Sequence, residues 1–218
     1  MTGFKELFHA FVLLLAHGLT FFYGYTHNYG LAIILLTIAI RIVLVPFMWS
    51  QIRSTRVMQL VEPERRALEK KYKNDKQQYN RAVMELWQSH GYNPFSGCLP
   101  LLLQLPFLYA LFYAIRDYPY QGPTNFLWIH SLAVPDPVLL PLLTVGLTYW
   151  QTRVSTVMVD QSQQLMLYAV PLVFGWMTTR FPAGLALYWV VSTATFVIQQ
   201  YLVPQPRLTS GGGQATPS

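Results

Sequence analysis

Arg41 is the residue of this sequence whose position most needs a chemical explanation. It is the only charged side chain inside any of the strongly apolar segments of the 218-residue chain. If this segment is a helix that begins at Tyr29 and crosses a lipid bilayer, Arg41 would lie about 18 Å from one end and about 13 Å from the other. That is too deep for its side chain to reach the lipid headgroups. A cation at that depth costs about 2.5–3.5 kcal/mol on insertion scales, and such residues usually mark a functional cavity.

Neutral groups would have to satisfy this cation, because no acidic residue lies within the other apolar segments. Polar side chains occur at comparable or slightly more cytoplasmic depths, and one of them precedes Arg41 by a single helical turn. These candidates are Thr37, Gln104, Thr148, Gln151, Ser192 and Thr193. Any one of the Ser or Thr residues could instead make an ordinary helix–helix hydrogen bond, and Arg41 could bond backbone carbonyls. Taken together, they predict a hydrated, positively charged cavity inside the bilayer.

The chemistry expected of this cavity is reversible attraction rather than catalysis. The sequence offers no nucleophile–base pair, metal-binding cluster or glycine-rich phosphate loop, and its five histidines lie outside the apolar segments. We therefore expect no enzyme activity, no cofactor and no metal. A charge pair about 4 Å apart is worth about 4 kcal/mol at an effective dielectric near 20, so binding of acidic or polar groups would be useful yet reversible.

Composition places the chain in a membrane. Hydrophobic residues make up 53% of the sequence and charged residues 11%, whereas a soluble domain carries roughly 25% charged residues. Fourteen of the twenty-four charged residues lie in residues 51–94, which leaves too few for a water-soluble surface elsewhere. The net charge of +6 could suggest nucleic-acid binding. However, basic residues beside a membrane are expected for topological reasons, so we predict no specific binding of nucleic acid.

The predicted fold is all-α, a polytopic bundle of five transmembrane helices with an interfacial helix and a charged hairpin. Residues 1–28 are predicted to form an N-terminal amphipathic interfacial helix, although an extra span over residues 4–24 stays open. The first span occupies residues 29–50 and has its apolar part over Tyr29 to Trp49. A cytoplasmic charged hairpin follows at 51–94, the other four spans lie within 95–203, and 204–218 is predicted to be a disordered tail.

Loop charges predict the orientation. With five spans, the side that receives residues 51–94, the 152–164 loop and the tail carries eleven Lys and Arg residues, against three on the other side. The positive-inside rule therefore predicts a multi-pass protein of the bacterial plasma (inner) membrane, N-out and C-in.

The charged hairpin has an apolar seam of its own. Val57, Val61, Leu68 and Tyr72 share one helical face, and Tyr79, Val83, Leu86 and Trp87 share another after a break near Asn74. We expect these arms to pack on each other and to move relative to the spans. The hairpin is either a docking arm or only a topology signal.

Three motifs in chain order resemble YidC-type membrane insertases of the YidC/Oxa/Alb family. The first runs from Asn28 through Thr37 to Arg41 and Pro46, and the second from Asn93 to Pro100 with Gln104 and Pro106. The third comprises Phe181 to Leu185, the run Leu187-Tyr188-Trp189, and Gln199-Gln200. The resemblance covers residues 4–203 and places the charged hairpin where the family has one.

This resemblance implies a membrane protein insertase and chaperone for nascent membrane proteins. Its hydrophilic groove would open to the cytoplasm and the lipid, with Arg41 attracting polar client segments and Trp189 among the groove residues. The ribosome, a targeting factor and the Sec translocon are possible partners, besides the bilayer itself. Two rivals stay open: a channel or transporter for an anionic solute, which would use Arg41 for selection, and a structural assembly factor.

Overall fold

The computed structural model describes residues 2–73, 75–90, 106–113, 115, 122–155 and 161–202. These residues are predominantly helical, which confirms the predicted all-α class, and within them the isolated bridge Phe126–Ile129 is the one extended pairing. The helices are α1 (Thr2–Thr26), α2 (Tyr29–Val43), α3 (Val45–Lys71), α4 (Lys76–Ser89), α5 (106–113), α6 (Leu139–Ser155), α7 (Gln161–Thr178) and α8 (Ala183–Leu202).

The first two helices form a hairpin with a two-residue turn. His27 adopts the left-handed conformation (φ 50°), and its amide donates to the Tyr23 carbonyl at 2.8 Å, which closes α1. Asn28 then accepts the Leu31 amide at 3.2 Å and so caps the start of α2. Further along, a Cβ on Gly18 would lie 2.9 Å from the Leu36 side chain. Helix α1 therefore runs back alongside α2.

One face of α1 is buried against α2 and the rest of the core, through Leu15, Ala16 and Leu19. The segments Lys5–Thr26 and Ala183–Leu202 are long and apolar enough to cross a membrane by length and composition, whereas Tyr29–Val43 and Leu165–Thr178 are shorter apolar helices. Both the interfacial placement of α1 and the extra span stay predictions.

The apolar segment from Tyr29 to Trp49 is two helices rather than one. Pro46 has no amide hydrogen to donate to the carbonyl one turn earlier, so the helical ladder is interrupted and α3 starts with this proline in its first turn. Helix α3 then continues without a break to Lys71. The predicted boundary between residues 50 and 51 thus falls inside a helix, because hydropathy ends there and backbone structure does not.

Helix α8 is the centre of the bundle. It packs against α2 on one side and α6 on the other, and α6 also packs against α7. The small residue Gly184 lets α8 approach its neighbours, since an added Cβ would lie 3.2 Å from Ile33 and 3.4 Å from Ile115. The α8 residues buried in this way include Ala183, Leu185, Ala186, Leu187, Tyr188, Ser192, Thr193, Phe196 and Val197.

The predicted charged hairpin consists of α3 and α4. Val57, Val61 and Val83 are buried along its seam, as the spacing predicts. Arg65 is buried too, and its Nε lies 2.9 Å from Glu62, while another of its nitrogens donates to the Tyr79 hydroxyl. Burial alone would lower the pKa of Arg65, but the hydrogen bond and charge of Glu62, together with Tyr79, raise that pKa above its ordinary value. This side chain joins the two arms, a role that the sequence pattern did not indicate.

Gly30 gives a stability prediction at the start of α2. A Cβ at this position would lie 2.1 Å from the ring of Phe126, so Gly30→Ala must displace a buried aromatic ring. We expect the free energy of unfolding to fall by about 1–3 kcal/mol, the usual cost of overpacking. Thermal unfolding in detergent measures this effect. The matched control is Gly24→Ala, because a Cβ there meets nothing within 4 Å. Equal midpoints for the two variants would contradict the packing of Phe126 on α2.

Candidate functional site

Arg41 is buried in the bundle and directed at α8. Arg41 is only 9% exposed. Its Nε lies 3.1 Å from the Ser192 hydroxyl oxygen, and its Nη2 donates to the same oxygen. Ser192 was one of the acceptors predicted from depth along the chain, and the structure places it in direct contact with the guanidinium. The contact joins α2 to the central helix.

Two further α8 residues contact Arg41. The guanidinium carbon lies 5.8 Å from the centroid of the Phe196 ring, a cation–π geometry worth about 0.5–2 kcal/mol. The Gln199 side chain donates to the backbone carbonyl of Arg41 at 3.4 Å, near the end of α2, where carbonyls lack partners within their own helix. Ser192, Phe196 and Gln199 follow one another at helical spacing on a single face of α8. That spacing is the signal by which Phe196 and Gln199 could have been predicted together with Ser192.

Within the described residues, three of the other predicted polar or aromatic residues bond elsewhere than at Arg41. The buried Thr37 hydroxyl donates to the Ile33 carbonyl in its own helix at 2.6 Å. Trp189 donates to the Thr148 hydroxyl at 3.4 Å and stacks on Phe174 with ring centroids 4.4 Å apart. Thr148 and Trp189 therefore link α6, α7 and α8 instead.

Two further predicted residues, Gln151 and Thr193, lie within the described part of the chain. Thr193 is buried and Gln151 is half-buried, and neither makes a hydrogen bond to the guanidinium there. Gln104 lies outside the described residues.

Within the described residues, Arg41 forms no salt bridge with a carboxylate. Among the described residues, the salt bridges are the α3 pairs formed by Arg65 and Arg66 with Glu62 and by Arg65 with Glu69. Over the same residues, no group of three His, Cys, Asp or Glu side chains could hold a metal. A guanidinium has five N–H donors, so Arg41 keeps donors beyond those that Ser192 accepts.

An unused acceptor lies close to the Arg41 backbone. The Gln199 Oε1 atom is buried and accepts no hydrogen bond within the described residues. Buried polar atoms are normally hydrogen-bonded, so an unpaired one indicates a place for a water or a ligand group. The α2–α8 contact thus offers a cation and an amide oxygen to groups that carry both donors and acceptors, such as the polar side chains and backbone of an unfolded segment.

The first turns of α3 pack on the ends of α8 and α6 that lie beyond Arg41. Met48 and Ile52 pack on Phe196 in a small apolar cluster. Further along α3, Gln59 donates to the Val154 carbonyl at 3.0 Å, and Arg56 donates to the Gln200 carbonyl. The start of α3 is therefore docked on the carboxyl ends of α6 and α8.

The comparisons agree with this architecture. The family model described as 60Kd inner membrane protein matches residues 21–209. The membrane protein insertase YidC of Caldanaerobacter subterraneus subsp. tengcongensis is 41% identical over 89% of this chain and 94% of its own length. The membrane protein insertase YidC of Geobacter sulfurreducens is 41% identical over 87% of this chain. The chain spans only 36% of that relative's length and 35% of the Geobacter metallireducens one.

A solved structure supports the same assignment. It is described as an active YidC insertase crystal structure with the first transmembrane domain resolved, and it superposes with a TM-score of 0.72 at 28% identity, over 91% of this chain and 46% of the other. The resemblance predicted from the three motifs is confirmed by these matches. The helical architecture, the sequence identity along most of the chain and the family model give one answer: this chain belongs to the YidC family of membrane protein insertases.

Proposed function

We propose that the chain inserts nascent membrane proteins into the bilayer and assists their folding. The observation that carries this proposal is the buried Arg41, which contacts the neutral Ser192, Phe196 and Gln199 on α8. A cation held by a neutral hydroxyl can exchange that partner for a client group without first breaking an ion pair. Membership in the family supports the same conclusion.

The proposed site is a hydrophilic, positively charged groove that opens to the cytoplasm and to lipid. The acidic or polar segment of a client would bind near Arg41 only while that segment crosses the membrane. Such binding can be transient because the attraction is reversible at intermediate dielectric. The client's apolar helix would remain on the outer faces of the bundle, where α6 and α7 expose large side chains. These include Leu142, Leu165, Leu172, Val173 and Trp176.

The proposed topology puts the α3–α4 hairpin and the carboxyl ends of α6 and α8 in the cytoplasm. The five spans would be α2, the segment around α5, α6, α7 and α8. The amino end would be outside if α1 lies in the opposite interface, and inside if α1, which runs back alongside α2, adds a span. The bundle would lie in the bacterial inner membrane. Its partners would be nascent membrane proteins and lipid, with ribosome, targeting factor and Sec translocon as further candidates. A tag ahead of Thr2 tests the N-out placement, because protection from external protease would instead mean that α1 spans.

Reconstitution into liposomes tests the proposed function. The purified chain, incorporated into liposomes, should increase the protease-protected fraction of a short single-span client severalfold over protein-free liposomes. The client should carry an acidic translocated tail, because Arg41 acts on that part of it. Client integration that does not differ from protein-free liposomes, together with saturable flux of an anionic solute, would favour the transporter alternative and contradict the proposal.

A further inference from the structure

The outer loop, residues 122–138, is fixed at the end of the bundle where α2, α6 and α8 begin. The first amides of α8, those of Ala183 and Gly184, donate to the carbonyls of Val134 and Leu132 at 3.0 and 2.9 Å. The loop thereby satisfies amides that have no partner within the helix itself. It is a structured part of the bundle, at the end opposite to the α3 contacts.

Asp136 holds this loop in place from the other side. One carboxylate oxygen accepts the amides of Val138 and Leu140 at 3.0 and 3.1 Å and so caps the start of α6. The other oxygen accepts the indole N–H of Trp128 at 3.0 Å. The single polar atom of the tryptophan is therefore satisfied within the loop, and the orientation of its ring is set.

The tip of the loop has a strained backbone at an apolar residue. Phe126 and Ile129 exchange backbone hydrogen bonds of 2.9 and 2.8 Å, so Leu127 and Trp128 form a two-residue hairpin turn. Leu127 has φ 50° at the first turn position, where glycine is the usual residue. Its side chain is 76% exposed, the largest value among the large hydrophobic residues of the described chain. A strained conformation that presents an exposed leucine points to a role outside the packing of the fold.

The surface around this tip is apolar and nearly uncharged. Residues 122–138 contain no Lys, Arg or Glu, and Asp136, their one acid, is buried. Trp128 is 41% exposed, and tryptophan is enriched where the hydrocarbon meets the headgroups. The exposed apolar surface continues through Val134 and Val138 of the loop into Leu139, Leu142 and Leu143 on α6.

We propose that Leu127 and Trp128 insert into the boundary between acyl chains and headgroups of the leaflet opposite the α3–α4 hairpin. The inference rests on the membrane placement proposed above, and the continuity of the tip with the exposed face of α6 carries it. With its N–H already bonded to Asp136, the indole can enter an apolar layer without an unpaired donor. The tip would hold the outer end of the bundle at a fixed depth while clients pass.

Spin-label accessibility in lipid tests this placement. The single cysteine, Cys98, is first replaced by serine, and a nitroxide is attached to Leu127→Cys or, as the matched control, to His130→Cys. His130 lies in the same loop and is also exposed. In vesicles of phosphatidylethanolamine and phosphatidylglycerol at high lipid-to-protein ratio, the ratio of oxygen to nickel-chelate collisions should be severalfold higher at 127 than at 130.

Equal ratios at the two positions would place the tip in water and overturn the proposal. Low collision rates with both reagents at 127 would mean that protein covers it, and relief of that protection on lipid dilution would identify a second copy of the chain. The variant Leu127→Gly relieves the backbone strain and removes an exposed side chain, so its unfolding midpoint in detergent should not fall. A lower midpoint would show that Leu127 serves the fold and would also contradict the anchor.

Discussion

Replacing Arg41 with alanine should reduce the insertion of a client with an acidic translocated tail roughly tenfold, which corresponds to about 1.4 kcal/mol in the rate-limiting step. Arg41→Lys should retain most of the activity, since the positive charge persists at the same depth. The physical reason is that no carboxylate in the described part of the chain competes for this cation. Initial rates of client protection in proteoliposomes measure the effect.

Two controls separate charge from packing in this series. Ser192→Ala removes the hydroxyl that lies 3.1 Å from Arg41 Nε but keeps the charge, so it should impair insertion less than Arg41→Ala does. A client whose translocated tail carries no acidic residue should depend less on Arg41. Equal rates for the alanine and lysine variants with every client would rule out the electrostatic role.

Deleting residues 62–90 and joining the ends by a short Gly/Ser bridge should lower client insertion severalfold while the bundle stays folded. The deletion removes α4 and the second half of α3, from residue 62 onward. It keeps Arg56 and Gln59, which bond the carboxyl ends of α8 and α6. The core packing of α2, α6 and α8 does not use the deleted residues. Thermal unfolding in detergent and client insertion in liposomes should be measured on the same preparation.

The matched variant for this deletion is Arg65→Met, which keeps the hairpin but removes the hydrogen bonds of Arg65 to Glu62 and Tyr79. It tests whether the arms must be joined to act. Insertion at the unmodified rate in the deletion variant would leave the hairpin only a topological role. Loss of the whole folded bundle would instead show that residues 62–90 are part of the core fold.

The sequence was most informative about where polar groups lie along the apolar segments. The depth argument selected both Arg41 and Ser192, and the structure joins them. It also selected Thr37, Thr148 and Thr193, because residues at one depth can lie on any side of a bundle. Depth alone cannot distinguish a hydroxyl that bonds its own helix, as Thr37 does with Ile33, from one that faces a neighbour.

Helix boundaries and docking contacts were less accessible to sequence reasoning. The break at Leu44 follows from Pro46, a local signal that the hydropathy average obscured. The contacts of Arg56 and Gln59 with α8 and α6 could not be predicted, because their acceptors are backbone carbonyls. Every residue has a carbonyl, so such an acceptor leaves no mark in the sequence.

By itself, the sequence determined that this chain is an all-α membrane protein of the YidC family with one cation, Arg41, inside an apolar segment. Those conclusions depend on residue type and order, which set the cost of burial and the match to a family. Tertiary structure alone decided that α8 contacts Arg41 through Ser192, Phe196 and Gln199, and that the loop of residues 122–138 exposes Leu127 at a strained turn. The physical reason is that neighbours across helices, and the direction of each side chain, depend on how the helices pack, and packing is a property of the whole chain.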